Sequence, residues 1–170
     1  MAKDGKTHSF LMDCIANALI KLMKEKALAD ITIDELTQEA GVGRATYFRN
    51  FSSKQEVLTY KFIRHWEIET AKRNIKERNK FDLENAIDFF EINSMLKDVY
   101  DVVYAAGMQS TLLDAFYKIM IPSQKENTLE RYREKFYSYG LFGLLDEWVV
   151  GGYKETPKQM AETLISICER

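Results

Sequence analysis

Thr32 and Glu35 stand three residues apart directly after Ile31, and Gly41 follows within roughly two helical turns. A threonine that accepts from the backbone N–H three residues on, with a glutamate that reaches back, satisfies orphan donors at a helix start. Ile31 can staple onto Leu36 across that cap. The pattern predicts a short helix over Ile33–Ala40, ended by Gly41. Val42-Gly43 is then a tight connection, Arg44–Asn50 a further helix, and Phe51 a plug that turns inward. Ser53 and Glu56 make a second capping box and start a helix carrying Val57, Leu58, Tyr60, Phe62, Ile63 and Trp66. Two short helices joined at a glycine, the second bearing polar and basic side chains, are the helix-turn-helix arrangement. Leu36, Ala40, Val42 and Phe51 would hold the two at a fixed angle.

The rest of the chain keeps the helical period. Phe10, Leu11, Cys14, Ile15, Ala18, Leu19, Leu22 and Met23 form one apolar stripe that ends at Lys24–Lys26, where cations suit the negative helix end. The helix from Ser53 can run on through the charged stretch Lys72–Lys80. Leu83–Glu91, Ser94–Ala106 and Gln109–Met120 read as three moderate helices punctuated by Gly107 and Pro122, and a long one follows from Ser123 to Val150. Gly151-Gly152 breaks it, and Thr156-Pro157 opens a last helix whose stripe is Met160, Ala161, Leu164, Ile165 and Cys168. With two prolines and eight glycines in 170 residues, and no strand alternation, the fold expected is all-α with about nine helices.

Composition narrows the function. Hydrophobic residues at 46% and charged residues at 29% are ordinary for a soluble globular protein. No run approaches the ~18 apolar residues of a membrane span. The start MAKDGKTHSF lacks the apolar core of a signal peptide, so a cytoplasmic protein without a membrane partner is expected. Cys14 and Cys168 belong to no CxxC or Cys/His cluster, and His8 and His65 have no i, i+4 partner. No metal ligand and no cofactor is therefore expected. The net charge of −2 hides an asymmetry: residues 1–65 carry ten Lys/Arg against eight Asp/Glu, and residues 66–170 fourteen against eighteen. A mildly basic head on an acidic body suits a protein that touches nucleic acid with one end.

Residue by residue, the second short helix can meet a duplex. Gly43 leaves its N-terminus uncluttered, where exposed N–H groups favour phosphate. Arg44, Thr46, Tyr47, Arg49 and Asn50 supply donors along an element narrow enough for the major groove. Arg49 reads either as a solvated charge or as a phosphate contact. Lys54 sits in the first turn of its helix, an unfavourable place for a cation that a phosphate would compensate.

The run ITIDELTQEAGVGRATYFRNFSSKQEVL closely resembles the signature of the TetR/AcrR family of transcriptional regulators, over roughly Ile15 to Leu58. The resemblance implies that Arg44 and Ala45 face base edges, and that Thr32, Thr46, Tyr47, Asn50 and Lys54 position phosphates. Two positions depart from it. Most members carry serine or another capping residue where this chain has Gly43, a change worth only a few tenths of a kcal/mol. Members usually carry tyrosine at Phe48, whose side chain here is either a core plug or a contact to a base methyl group. On this reading specificity leans on Arg44 and Tyr47.

Residues 1–60 are thus expected to form the DNA-binding domain and residues 61–170 a helical domain for ligand binding and dimerisation. The stretch Tyr139–Val150 is apolar nearly all round, and Gly140 and Gly143 permit close approach of another backbone. Tyr139, Gly140, Gly143, Leu144, Trp148, Met160 and Leu164 are the candidate interface of a homodimeric four-helix bundle, against burial of both helices within one chain. The segment FGLLDEWVVGGYKETPKQMAETL is similar to the tail of a TetR branch that includes dihydroxyacetone-kinase regulators. Phe81, Phe89, Phe90, Met95, Tyr100, Tyr104, Met108, Phe116 and Met120 make the middle helices rich in aromatic and sulfur side chains. Most belong to plain core, while the family resemblance implies a pocket for a small-molecule effector. Its candidates are Phe89, Asn93, Tyr100, Tyr104, Met108 and Phe116.

The function expected is a repressor released from double-stranded operator DNA by a small molecule. An activator of the same fold is the near alternative, and a helical protein-interaction module without DNA affinity is the distant one. No nucleophile–base constellation, phosphate loop or metal-spaced cluster points to an enzyme.

Overall fold

The computed structural model describes residues 2–75, 82–120 and 127–168, with side chains from residue 8 onward. Among the described residues it is all-α, with nine α-helices in chain order: α1 (Ala2–Met23), α2 (Ile33–Glu39), α3 (Arg44–Asn50), α4 (Lys54–Lys72), α5 (Leu83–Ser94), α6 (Lys97–Ala105), α7 (Gln109–Met120), α8 (Thr128–Val150) and α9 (Pro157–Cys168). Phe81 and Pro122 lie outside the described residues, as does the expected start of α8 at Ser123.

The helix starts obey the side chains that precede them. Thr32 Oγ1 accepts the Glu35 N–H at 3.2 Å, Ser53 Oγ accepts the Glu56 N–H at 3.1 Å, and Asp82 Oδ1 accepts the Asn85 N–H at 2.9 Å. The first two capping boxes are not reciprocal, however. Glu35 turns to the Lys26 ammonium, and Glu56 accepts from both the N–H and the hydroxyl of Ser52, at 2.8 and 2.7 Å. Those two bonds hold the Glu56 carboxyl below its ordinary range. The start of α9 is a full box, with the Thr156 N–H donating to Gln159 Oε1 at 2.9 Å and the Gln159 N–H to Thr156 Oγ1 at 3.3 Å.

Two helix ends fall elsewhere than the pattern predicts. α4 stops at Lys72, because Asn74 takes a left-handed φ of 56° and the Ile75 N–H returns to the Thr70 carbonyl at 3.0 Å. α6 begins at Lys97 rather than Ser94, since the Ser94 hydroxyl donates to the Glu91 carbonyl at 2.7 Å and so belongs to the end of α5.

α1 packs on α2, α3, α4 and α6; α4 packs on α7, α7 on α8, and α5 on α9. One continuous core runs from Ile15 and Leu19 through Leu36, Tyr47, Val57 and Leu58 to Phe90, Tyr100, Leu112, Leu145 and Leu164. No described helix is long and apolar enough to cross a membrane.

Between α2 and α3 the chain reverses at Gly41, whose φ is +65°. A Cβ there would meet no atom within 4 Å, so the strain of a substitution is the backbone's own. Gly41→Ala should cost about 1 kcal/mol in urea denaturation, and Gly41→Asn, which tolerates the left-handed region, visibly less.

Candidate nucleic-acid interface

α3 is seven residues long, and its two faces have opposite fates. Tyr47 is 2% exposed, and its ring meets Phe51 at 6.0 Å between centroids. Phe51 in turn packs edge-on against Tyr60 at 5.6 Å. One residue after Tyr47, Phe48 is 60% exposed. The expectation that Tyr47 is a surface donor is therefore corrected: burial, with Glu56 nearby, raises the pKa of its hydroxyl, and its ring anchors α3 to the core. The core-plug reading of Phe48 falls with it. A helix turns 100° per residue, so adjacent aromatics cannot share a face.

Outward from α3 stand Arg44, Ala45, Phe48 and Arg49, with Gly43 exposed before them and Thr46 half-buried. Arg44 Nη1 meets Asp34 Oδ1 at 2.6 Å, and its guanidinium lies over the Phe48 ring, 5.7 Å from the centroid. Thr32, exposed at the start of α2, spends its hydroxyl oxygen on the Glu35 cap.

Two further expected contacts are held within the chain. Asn50 donates to the Thr46 carbonyl at 2.7 Å, and its Oδ1 lies 2.6 Å from Nε2 of His8. Asn50 thus ties α3 to α1, a link the sequence did not suggest because the two residues are 42 apart. Lys54 also has partners within the chain. Its ammonium donates to the carbonyls of Leu28 and Ile31, the latter at 2.7 Å, across the 3₁₀ turn Leu28–Asp30. Carbonyl dipoles compensate the cation's unfavourable place at the start of α4.

In the body, Phe89, Asn93, Tyr100 and Phe116 line a cavity of about 20 Å³, together with His65 and Trp66 of α4. That volume admits roughly one water. Tyr104 and Met108, expected beside them, are not on its wall. The Tyr104 hydroxyl donates to Asp146 at 2.6 Å, and Met108 lines an open groove near Leu28 and Lys54. Trp66 was missed because on sequence it belongs to the stripe of α4 and not to the middle helices, and His65 because it stands alone, with no i, i+4 partner.

α8 has two apolar faces. Leu141, Leu145, Trp148 and Val149 are buried, and Met160, Ala161 and Leu164 of α9 are buried as well. Trp148, Met160 and Leu164 are thereby corrected from candidate interface to internal core, with Trp148 edge-on to Phe90 at 5.5 Å. Tyr139, Gly140 and Gly143 remain exposed and Leu144 is half-buried. Leu129, Tyr132, Phe136 and Val150 join the exposed group, Phe136 at 75%. Their three- and four-residue spacing was the available signal.

Two family models match the chain. Residues 15–60 match the one described as bacterial regulatory proteins of the tetR family, and residues 83–170 one described as a transcriptional regulator C-terminal region. No curated protein matches the sequence.

Tyr47→Ala should destabilise the fold by about 3–5 kcal/mol in thermal or urea unfolding, the range for removing a buried aromatic ring. Phe48→Ala, on the exposed face, should stay within about 0.5 kcal/mol of the native protein in the same measurement.

Proposed function

The chain belongs to the TetR family of bacterial transcriptional regulators and is a DNA-binding transcriptional regulator; from that premise we propose that it is a homodimeric repressor, released from its operator when a small molecule enters the helical body. The observation that carries the DNA-binding surface is the division of α3: Tyr47 is locked into the core while Arg44, Phe48 and Arg49 face outward from one short helix. A helix so presented fits a major groove, where an arginine reads guanine O6 and N7 and a phenyl ring packs on a thymine methyl group. Arg44 and Phe48 are the specificity residues of this reading. Ala45 faces base edges beside Arg44, while Arg49, Thr46 and Thr32 serve the phosphates and Gly43 lets the backbone approach.

Asp34 gives this reading a finer point. The Asp34–Arg44 pair is exposed on both sides, so it adds little to stability. Its use is to hold the guanidinium in one direction before DNA arrives, with Phe48 beneath.

A dimer is supported by the outer face of α8. Leu129, Tyr132, Phe136, Tyr139, Gly140, Gly143 and Val150 lie along one side of the helix, and a Cβ at either glycine would meet nothing within 4 Å. An apolar stripe of that length in water favours a partner helix, and a two-fold axis would pair it with its own copy.

Selection from a random duplex library should return a site with two related half-sites about one helical turn apart. Arg44→Ala should weaken that site by about 2 kcal/mol in fluorescence anisotropy and relax one position in each half. Asp34→Asn should lower discrimination while strengthening binding to unrelated duplex, as a carboxylate leaves the DNA-facing surface. Lys54→Ala should lower the salt slope of binding, because its carbonyl partners leave the positive charge in place. Recovery of no enriched duplex would overturn the reading. For the dimer, Phe136→Glu should convert the protein to a monomer in sedimentation velocity, whereas Ile167→Glu, near the end of α9, should weaken association less.

A further inference from the structure

Trp66 lines the cavity, and its buried indole N–H is without a partner among the described residues. The residue is 9% exposed. Its polar neighbours on that wall are engaged. Asn93 donates to the Phe89 carbonyl at 2.7 Å and accepts the Tyr100 hydroxyl, and His65 donates Nε2–H to the Ile92 carbonyl at 3.0 Å. The other tryptophan offers a direct contrast, since Trp148 donates to the Glu155 carbonyl at 2.9 Å. A buried donor that is never satisfied is costly, so one left open beside a cavity marks where an acceptor is to arrive.

Resting on the reading that the body takes a small molecule, we propose that Trp66 is its hydrogen-bond donor and that the ligand is a neutral, flat, apolar molecule with one acceptor oxygen, such as an aryl ketone or aldehyde. The apolar part follows from the walls, which Phe62, Phe89, Tyr100 and Phe116 build around the indole. Neutrality follows from charge. No Lys, Arg, Asp or Glu is among the described lining residues. Burial lowers the pKa of the His65 imidazole, outweighing the Ile92 hydrogen bond, so the ring is uncharged at neutral pH. An anion entering there would be desolvated without a cation to meet it.

A space of about 20 Å³ admits the acceptor atom but not a ring. Ring entry therefore parts Phe89 from Trp66 or from Phe116, whose centroids are 5.8 and 5.6 Å from it. The ligand thus trades aromatic contacts within the protein for contacts with itself, and the new hydrogen bond to Trp66 is its net gain.

The test uses the full chain with ¹⁵N-labelled indoles, whose two Nε1–H resonances are assigned with Trp66→Phe. Acetophenone, ethylbenzene and benzoate are the probes: an acceptor, its close hydrocarbon counterpart and an anion. Acetophenone should move the Trp66 resonance downfield, leave that of Trp148 in place, and bind about tenfold more tightly than ethylbenzene. Benzoate should not bind. In Trp66→Phe the affinity for acetophenone should fall to that for ethylbenzene, while retained ethylbenzene binding shows the variant folded. Equal affinities in the native protein, or a preference that survives Trp66→Phe, would overturn the donor assignment and leave the small-molecule reading standing. Benzoate binding more tightly than acetophenone would overturn the neutral class. Failure of all three probes to bind would count against the small-molecule reading itself, and the assignment would fall with it.

Discussion

Within one turn of α4, Thr59 donates its hydroxyl to the Thr111 carbonyl of α7, the Tyr60 hydroxyl donates to Asp13 of α1, Lys61 donates to Asn17 of α1, and Phe62 stacks on Tyr100 of α6 at 5.4 Å. Successive residues of a helix point about 100° apart, so four neighbours in sequence reach several elements in space. Further along, His65 bonds to the backbone at the end of α5, and Arg73 meets Asp88 and Glu91, both at 2.6 Å. Burial and Asp13 together push the Tyr60 hydroxyl well above the ordinary tyrosine range, so the bond to Asp13 keeps its proton at any physiological pH. The helix that begins beside the recognition element is therefore fixed to the body by uncharged and charged contacts alike. Residue 60, where the motif ends in sequence, lies inside an unbroken helix.

The recognition helix owes its orientation to the same core. Seven residues give barely two turns, and an isolated helix of that length is not stable in water. Tyr47 and Phe51, four apart on the inner face, supply the anchor, and the Asn50 amide closes the other side by meeting both Thr46 and His8. Arg44 and Phe48, also four apart, are then carried outward by geometry alone.

That arrangement explains what could be read from sequence and what could not. The caps at Thr32 and Ser53 and the reversal at Gly41 depend on residues within a few positions, and local chemistry determined them. The rotational phase of α3 was less accessible, because adjacent aromatics at 47 and 48 fit either assignment unless Phe51 is used to set the inner face. Lys54 was out of reach, since its carbonyl partners lie 23 and 26 residues upstream and join it only after α1 and α4 have packed. The two-sided character of α8 was visible as an apolar excess, but which side is internal depends on where α7 and Phe90 sit. Glu35 and Glu56 left their expected reciprocal caps, Glu35 for the Lys26 ammonium and Glu56 for the N–H and hydroxyl of Ser52, one residue before the cap.

The charges of the head carry the last consequence. Lys21 pairs with Glu39 at 2.5 Å, Lys26 with Glu35, Arg44 with Asp34, and Arg64 with Asp13 at 3.4 Å, while Lys54 donates to carbonyls. The hydrogen bond to Glu39 raises the pKa of Lys21, as expected of a cation with its own counter-charge. Arg49 has no carboxylate partner among the described residues, so α3 carries one paired and one free guanidinium. Affinity built on counterion release scales with the number of phosphates neutralised, and cations already paired with carboxylates contribute less to that term than free ones. On the reading proposed above, in which Arg44 meets a base, the pair with Asp34 already holds the guanidinium, so part of the ordering cost is met before the duplex arrives.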